Sequence, residues 1–524
     1  MHDLRSPDSD DLDLQHLWST LEQGKGDLLA RCEQYAMWTI PSVCPMENED
    51  GAEQSKGNVA IGARLVNHLA NRIVDTMFPS DRPFFAITLT PDASRRLTDE
   101  MDEDEEAQFT AALRKATANA EEMAMRKLNL TAYRPVAVQA VQHKIVTGNA
   151  LIHRNEKGDR TLYGVRDFCI VRDITGTPKK CILRDAKKYR NLTDSIKARL
   201  SAKKPTYKDE DDVTVYTYYY WKDRKWHSVQ GVDEVIIPTT RSSYRKEDVP
   251  FMALTWNLSR GESYGRGLVE DHTVLFHNID VTSEAMIDLI GIAADLKWLV
   301  DPASGMDVDE WNNAKRGAYV PGRKDDISIP DFPKRLEIQL LGEQIAKWER
   351  DLSQAFLLNS AGVRDAERVT AEEIRFYARE LESAFGGLYS KLALTWQKQE
   401  ADWLISQIDF SLFSHTGVQS FEIVVTTGME SLSREGQLDN LRLAIGDLQM
   451  LDAVPEDLRE VINKQKFAEF VFTNRGVKLA EFIYTEQELQ AIQQARMAQE
   501  QQMQAQAGGQ QVAAEAGKAA AKEG

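Results

Sequence analysis

Cysteine is scarce. The four cysteines among 524 residues, Cys32, Cys44, Cys169 and Cys181, are too widely spaced for a zinc knuckle and too few for a disulfide framework. Reduced, structural thiols are expected. Long apolar runs are also missing, and none approaches the roughly 20 residues that a membrane helix needs. The nearest stretch, Met286 to Val300, is broken by Asp288, Asp295 and Lys297, and the acidic run from Asp8 to Asp13 has no apolar signal core. The sequence therefore predicts no membrane span and synthesis into the cytoplasm. Positive charge is in short supply as well: 64 Lys and Arg against 82 Asp and Glu leave a formal charge of −18. Tight nucleic-acid binding depends on basic groups releasing phosphate counterions, which excludes an all-over grip but leaves room for a loose passage.

Several catalytic signatures are absent too. There is no G-x-x-x-x-G-K-[ST] phosphate loop, no His-Glu-x-x-His and no paired Cys-x-x-Cys. Any energy-coupled role would need a partner ATPase, and no metal or cofactor is expected. His272 and His277 are five residues apart on an expected helix, which points their rings about 140° apart and away from a shared ion. One enzymatic signature is present. Gly261-Glu262-Ser263-Tyr264-Gly265 matches G-x-S-x-G between a strand-like stretch and a helix, the setting of a hydrolase nucleophile at Ser263. No His-Gly-Gly oxyanion segment precedes it, and the strands before it read as hairpins instead of alternating with helices. The alternative is a glycine turn joining sheet to helix.

A chain of this length needs more than one core, so two to four domains or a multi-part protomer are expected. The first 150 residues read as mainly helical, with helices over Leu14–Tyr35, Asn58–Met77, the stretch up to Leu128, and Tyr133–Val146, and a strand near Phe85–Leu89. Residues 150–258 turn β-branched and aromatic and predict antiparallel sheet, the clearest hairpin being Val213–Trp221 and Trp226–Val229 across the polar turn Lys222–Lys225. A helix to about Ala294 follows, then a small α/β insert with strands at Leu296–Val300, Gly317–Val320 and Ile327–Ile329 and a helix at Val308–Lys315, then a helix over Leu336–Leu358. Further on come a strand at Phe421–Thr426, short helices, and an Ala/Gln-rich tail expected to be partly disordered. The fold class expected is α+β, mainly helical.

The organising stretch is Asn359 to Trp396. Thr370 and Glu373 have capping-box spacing, which starts a helix at about Ala371. Ile374, Ala378, Leu381, Phe385, Leu388, Leu392 and Trp396 then draw one apolar stripe, and Gly386-Gly387 marks where that long helix should bend. The preceding loop, with Ser360, Gly362, Arg364, Asp365, Glu367 and Arg368, has little apolar content to hold it in a core. Its two arginines read either as solvated loop charges or, in several copies, as a ring around a polyanion.

These residues carry a resemblance. Asn359-Ser360, Glu367 through Arg375 and Gly261 through Arg266, together with Gln34-Tyr35, Ile40-Pro41, Gly62-Ala63-Arg64, Asn67-His68-Leu69-Ala70, Phe78-Pro79 and Asp325 to Ser328, resemble the portal proteins (head-tail connectors) of short-tailed bacteriophages. The resemblance covers nearly the whole chain apart from the tail, and its specificity lies in the order and spacing of the motifs. It implies a homo-oligomeric ring of about twelve subunits at one capsid vertex, non-enzymatic, through which double-stranded DNA is packaged and ejected without sequence readout. The implied parts are a wing (1–266), stem helices (267–294 and 336–358), a clip (295–335), a tunnel loop (359–369), more wing with the long bent helix (370–430), a crown (431–485) and a C-terminal tail (486–524). Implied partners are the major capsid protein, scaffolding protein, terminase motor, tail adaptor and internal core proteins, with no membrane; the implied location is the virion, after assembly in the host cytoplasm. DNA-lining roles fall on Arg364, Arg368 and Lys347. A serine hydrolase at Ser263, or an oligomeric adaptor without DNA contact, are the competing readings.

Overall fold

The computed structural model divides the chain into two compact units, Met1–Ser431 and Leu432–Gly524. It describes residues 12–46, 57–80, 82–90, 96, 103–155, 157–203, 207–294, 299–301, 307–315, 319, 327–328, 335–358, 371–408 and 423–427, all in the first unit. The segment 359–370, which holds the expected tunnel loop, and the crown and tail lie outside the described residues, as does most of the strand expected over Gly317–Val320.

The described architecture is α+β, with every strand pair antiparallel. Helices α1 (Leu14–Gln23) and α2 (Gly26–Trp38) replace the single amino-terminal helix expected, because the chain turns at Gly24-Lys25. Lys25 explains the break: it is buried, and its ammonium donates to the carbonyls of Val165 and Phe168 at 2.9 and 3.0 Å, a reach a continuous helix would not give. Helix α3 (Gly62–Met77) follows, then β1 (Phe85–Leu89), α4 (Glu103–Asn129) and α5 (Tyr133–Thr147). Helix α5 stops at Gly148, whose φ of 75° is the left-handed cap that glycine adopts most cheaply.

Strands β2 (Asn149–Arg154), β3 (Arg160–Tyr163) and β9 (Phe251–Thr255) form a three-stranded sheet in the order β3-β2-β9. Strands β4 (Phe168–Arg172), β5 (Pro178–Lys188), β6 (Asp212–Lys222), β7 (Lys225–Val232) and β8 (Val235–Tyr244) form a five-stranded meander. The β6–β7 hairpin turns at Asp223 and Arg224, with φ of 50° and 60°, the pair of left-handed residues that matches strand twist. Odd and even positions along β6 serve two different cores. Tyr216, Tyr218 and Tyr220 pack under Leu14 and Trp18 of α1, whereas Tyr219 joins Trp226 of the neighbouring strand and meets Phe251 and Leu151 of the facing sheet. Val213 and Val215, on the same side as Tyr219, are covered by Ile196 and Leu200 of a helix, α6 (Asp194–Lys203), inside the region expected to be sheet alone. With both faces covered, β6 reads as a continuous aromatic and valine run instead of alternating with polar residues.

Beyond the sheets come α7 (Leu268–Asp271), α8 (Thr273–Ala294), the short pair β10 (Leu299–Val300) and β11 (Ile327–Ser328) with α9 (Val308–Asn313) between them, and α10 (Arg335–Ala355). Then α11 (Ala371–Ala384), α12 (Leu388–Leu392), a π-helical stretch (Ala393–Gln397) and α13 (Lys398–Ser406) lead to β12 (Ile423–Thr427). The expected long bent helix is broken instead: Gly386 and Gly387 both lie in the left-handed region, with φ of 56° and 87°, and two such residues in succession end a helix. Its apolar stripe persists across the break, since Ala378, Leu381, Leu388, Leu392 and Trp396 are all buried. Trp396 packs edge-on to Phe78, which also meets Phe84 and Tyr133 at centroid distances of about 5 Å. Strand β12 closes the fold by pairing with β1 over Phe85↔Thr427 to Leu89↔Ile423. The four cysteines are free and buried.

Two histidines give this module a pH dependence. Burial lowers His143 and His153 from 6.5 to about 4; the Nδ1 of His143 is shielded from water without a hydrogen bond, and His153 Nε2 meets the Tyr219 hydroxyl at 2.8 Å. A depressed folded-state value means that the unfolded chain binds more protons between about pH 6.5 and 4, so stability is lost as pH falls through that window. Each group contributes at most about 3 kcal/mol. The urea midpoint should fall from pH 7 to pH 4.5, and His143→Gln should flatten the decline; a midpoint independent of pH across the window would contradict this.

Candidate functional site

The resemblance directs attention to the helix pair α8/α10 and to the roots of the segment 359–370. Helix α8 is fixed at one end by the first helices of the chain. Asp280 accepts from the Trp38 indole at 2.9 Å and from the Asn58 backbone N–H at 2.6 Å, and the Trp38 ring stacks on Phe276 at an interplanar angle of 6°. Phe276 in turn meets Phe356, at the end of α10, edge-on at 6.0 Å, so the two long helices share an anchored aromatic base. Lys347 stands exposed on α10 and makes no ion pair among the described residues.

The chain leaves α10 through Leu357, whose φ of 57° is left-handed without being glycine. Its carbonyl accepts from Arg72 Nη1 at 3.1 Å, while Arg72 Nη2 pairs with Glu380 on α11 at 2.7 Å. The guanidinium also lies 4.0 Å from the centroid of Tyr377. One arginine on α3, 9% exposed, therefore holds both flanks of the segment 359–370. Burial and the charge of Arg72 lower the pKa of His68, one turn earlier on α3. The sequence reading did not find this clasp. Its signal was an arginine next to Ile73 and Val74 on an otherwise apolar helix.

Of the residues singled out from sequence, Ser360, Gly362, Arg364, Asp365, Glu367, Arg368 and Thr370 lie outside the described residues. So does the side chain of Glu373, although its backbone belongs to α11, which starts at Ala371. Lys347 lies on α10, while Gly386 and Gly387 mark the break between α11 and α12.

The turn at Ser263 has a structural explanation. Asn149 donates to the Gly265 carbonyl at 2.8 Å and accepts from the Gly265 N–H at 2.7 Å, while the Tyr264 hydroxyl accepts from Ile170 N–H. A Cβ at Gly265 would lie 2.9 Å from the carbonyl oxygens of Asn257 and Gly148, and one at Gly267 would lie 2.6 Å from the Ile145 oxygen. These glycines let backbone pack against backbone where sheet meets helix. Ser263 Oγ accepts weakly from Arg172 N–H at 3.3 Å, and the cavity beside it is lined by Lys25, Arg31 and Glu262 but no histidine. Neither a histidine beside Ser263 nor the parallel sheet of a hydrolase elbow is found among the described residues, whose strand pairs are all antiparallel. Among the described residues, no helix is long and apolar enough to cross a membrane.

The family model of the bacteriophage head to tail connecting protein matches residues 12–411. The chain belongs to that family. Its relatives include the portal protein of Enterobacteria phage SP6, 30% identical over 93% of this chain and 92% of that one. The portal protein of Pseudomonas phage phiKMV is 31% identical over 94% and 95%, and that of Escherichia phage T7 is 26% identical over 82% and 80%. The matched family region contains the three- and five-stranded sheets, the α8/α10 pair and the Arg72 clasp.

Removing Arg72 should leave Glu380 half-buried and unpaired. Arg72→Met should cost about 2–3 kcal/mol, and the double variant with Glu380→Gln should recover part of it. Hydrogen exchange should quicken at 351–358 and 371–380 before the rest of the unit. A coupling energy near zero between positions 72 and 380 would show that the clasp carries no energy.

Proposed function

We propose that the chain is a phage portal protein, forming a ring at one capsid vertex through which double-stranded DNA enters and leaves the head. The observation that carries this reading is the family membership, together with portal-protein relatives that span more than nine-tenths of their own length against it. The single chain has features that suit a ring. Helix α8 exposes Val274, Val281, Ile287, Ile290 and Ile292, between 48% and 71% exposed, aliphatic side chains on more than one side of the helix that water disfavours and that neighbouring copies would cover. Head-to-tail contacts that close are the way such rings form.

In this reading α8 and α10 are the stem, residues 295–335 the clip that meets terminase motor and tail adaptor, and residues 1–266 and 370–430 the wing facing the major capsid and scaffolding proteins. The segment 431–485 is the crown, next to internal core proteins. The protein resides in the virion after assembly in the host cytoplasm and works without catalysis. Its negative charge suits the task, because a wall studded with lysine and arginine would hold DNA and stall its movement. Arg364 and Arg368, with Lys347 on the stem, are the proposed phosphate contacts, on a loop whose flanks Arg72 ties down.

Mass measurement and negative-stain imaging of the purified chain should give rings of about twelve subunits with a duplex-sized axial opening; a stable monomer at high concentration would overturn the reading. Charge reversal at Arg364 and Arg368 should leave rings intact and lower the amount of DNA packaged. Unchanged packaging would refute the loop's role.

A further inference from the structure

A cleft of about 640 Å³ is lined by residues of β2, β6–β8 and α13 and by none of the residues proposed above for the channel. Arg154, which lines it, belongs to a group of buried charges that do not balance. Arg154 ends β2 and Arg160 begins β3, directly opposite each other in register, and their guanidinium carbons lie 4.6 and 4.7 Å from the centroid of Trp403 on α13. Arg160 has protein partners for both Nη atoms, pairing through Nη2 with the fully buried Glu400 and donating from Nη1 to the Gly158 carbonyl, although its Nε is left without one. Arg154 has no such partners. Only 6% exposed, it uses its backbone N–H on Pro250, while its guanidinium makes no hydrogen bond or ion pair among the described residues. Two buried cations thus share one buried carboxylate. An unpaired buried charge is costly, and this one lines an open cleft.

We propose that the cleft is a binding site for a single carboxylate group, received by the forked donors of Arg154 beside the Trp403 ring. A planar guanidinium matches a carboxylate with two parallel hydrogen bonds, a geometry a lysine cannot offer. The cleft wall adds the hydroxyls of Thr217, Ser228 and Tyr219, the last already bonded to the neutral His153. Its mouth carries Glu247, Asp248 and Asp402, of which Asp248 is taken up by Arg245 at 2.6 Å. These acids select for low charge: a single carboxylate approaches Arg154 with less repulsion than a phosphate dianion. The carboxylate comes either from a free small acid or from a glutamate or aspartate side chain of another protein.

The test is calorimetric titration of the full-length protein, at constant ionic strength, with sodium glutarate, with a blocked tripeptide carrying a central glutamate, and with inorganic phosphate. Binding of glutarate or the peptide, roughly tenfold tighter than phosphate, is expected, and whichever of the two binds more tightly identifies the source. Arg154→Gln should abolish the heat. Asp402→Asn, an isosteric change at a half-buried cleft residue, should tighten binding several-fold by removing repulsion. The proposal is overturned if no carboxylate binds, if phosphate binds as well as glutarate, if a folded Arg154→Gln protein binds unchanged, or if Asp402→Asn has no effect.

Discussion

The geometry around the segment 359–370 depends on one buried cation. Arg72 sits on the deeply packed helix α3 and uses two nitrogens of the same plane to hold the exit of α10 and Glu380 in the second half of α11. Because the guanidinium is planar and rigid, the two anchor points cannot move independently without breaking one of these contacts. Tyr377 covers one face of the plane and limits its rotation. The result is a loop whose flanks are set by the core of the module, whatever the loop itself does. The aromatic base formed by Trp38, Phe276 and Phe356 continues the same support into α8 and α10.

Much of this was legible in the sequence, for identifiable reasons. Helix α5 ended where Gly148 said it would, and the β6–β7 hairpin formed around the polar turn, because turn chemistry and periodicity are local signals. The misses all involve distant partners. The chain breaks at Gly24-Lys25 because Lys25 reaches carbonyls about 140 residues away, which no local pattern records. Helix α6 was hidden because its purpose is to cover Val213 and Val215 of a strand that follows it. At Gly386-Gly387 the sequence marked the right place but not the severity, since whether glycine bends or ends a helix depends on the φ that packing imposes. The Ser263 motif misled because close backbone packing demands glycines as firmly as a nucleophile elbow does.

Charge is distributed with the same economy. A chain of net charge −18 places several of its cations inside, where each does a specific mechanical job: Lys25 caps two carbonyls, Arg72 joins two helices, and Arg160 neutralises Glu400. Breaking any of these leaves a buried polar group stranded, so they specify position more than they add net stability. Arg154 departs from that pattern, with its guanidinium turned to a cleft instead of to a protein partner.

The pairing of β1 with β12 has a consequence for synthesis. Strand β1 finds its partner more than three hundred residues later, so at translation speeds of about 5–20 residues per second a growing chain carries that open edge for tens of seconds. Until β12 leaves the ribosome, Phe85 to Leu89 offers bare backbone donors and acceptors to any extended segment nearby. A truncated or stalled copy keeps that edge permanently, and in a cell making many copies at once such fragments are natural partners for one another.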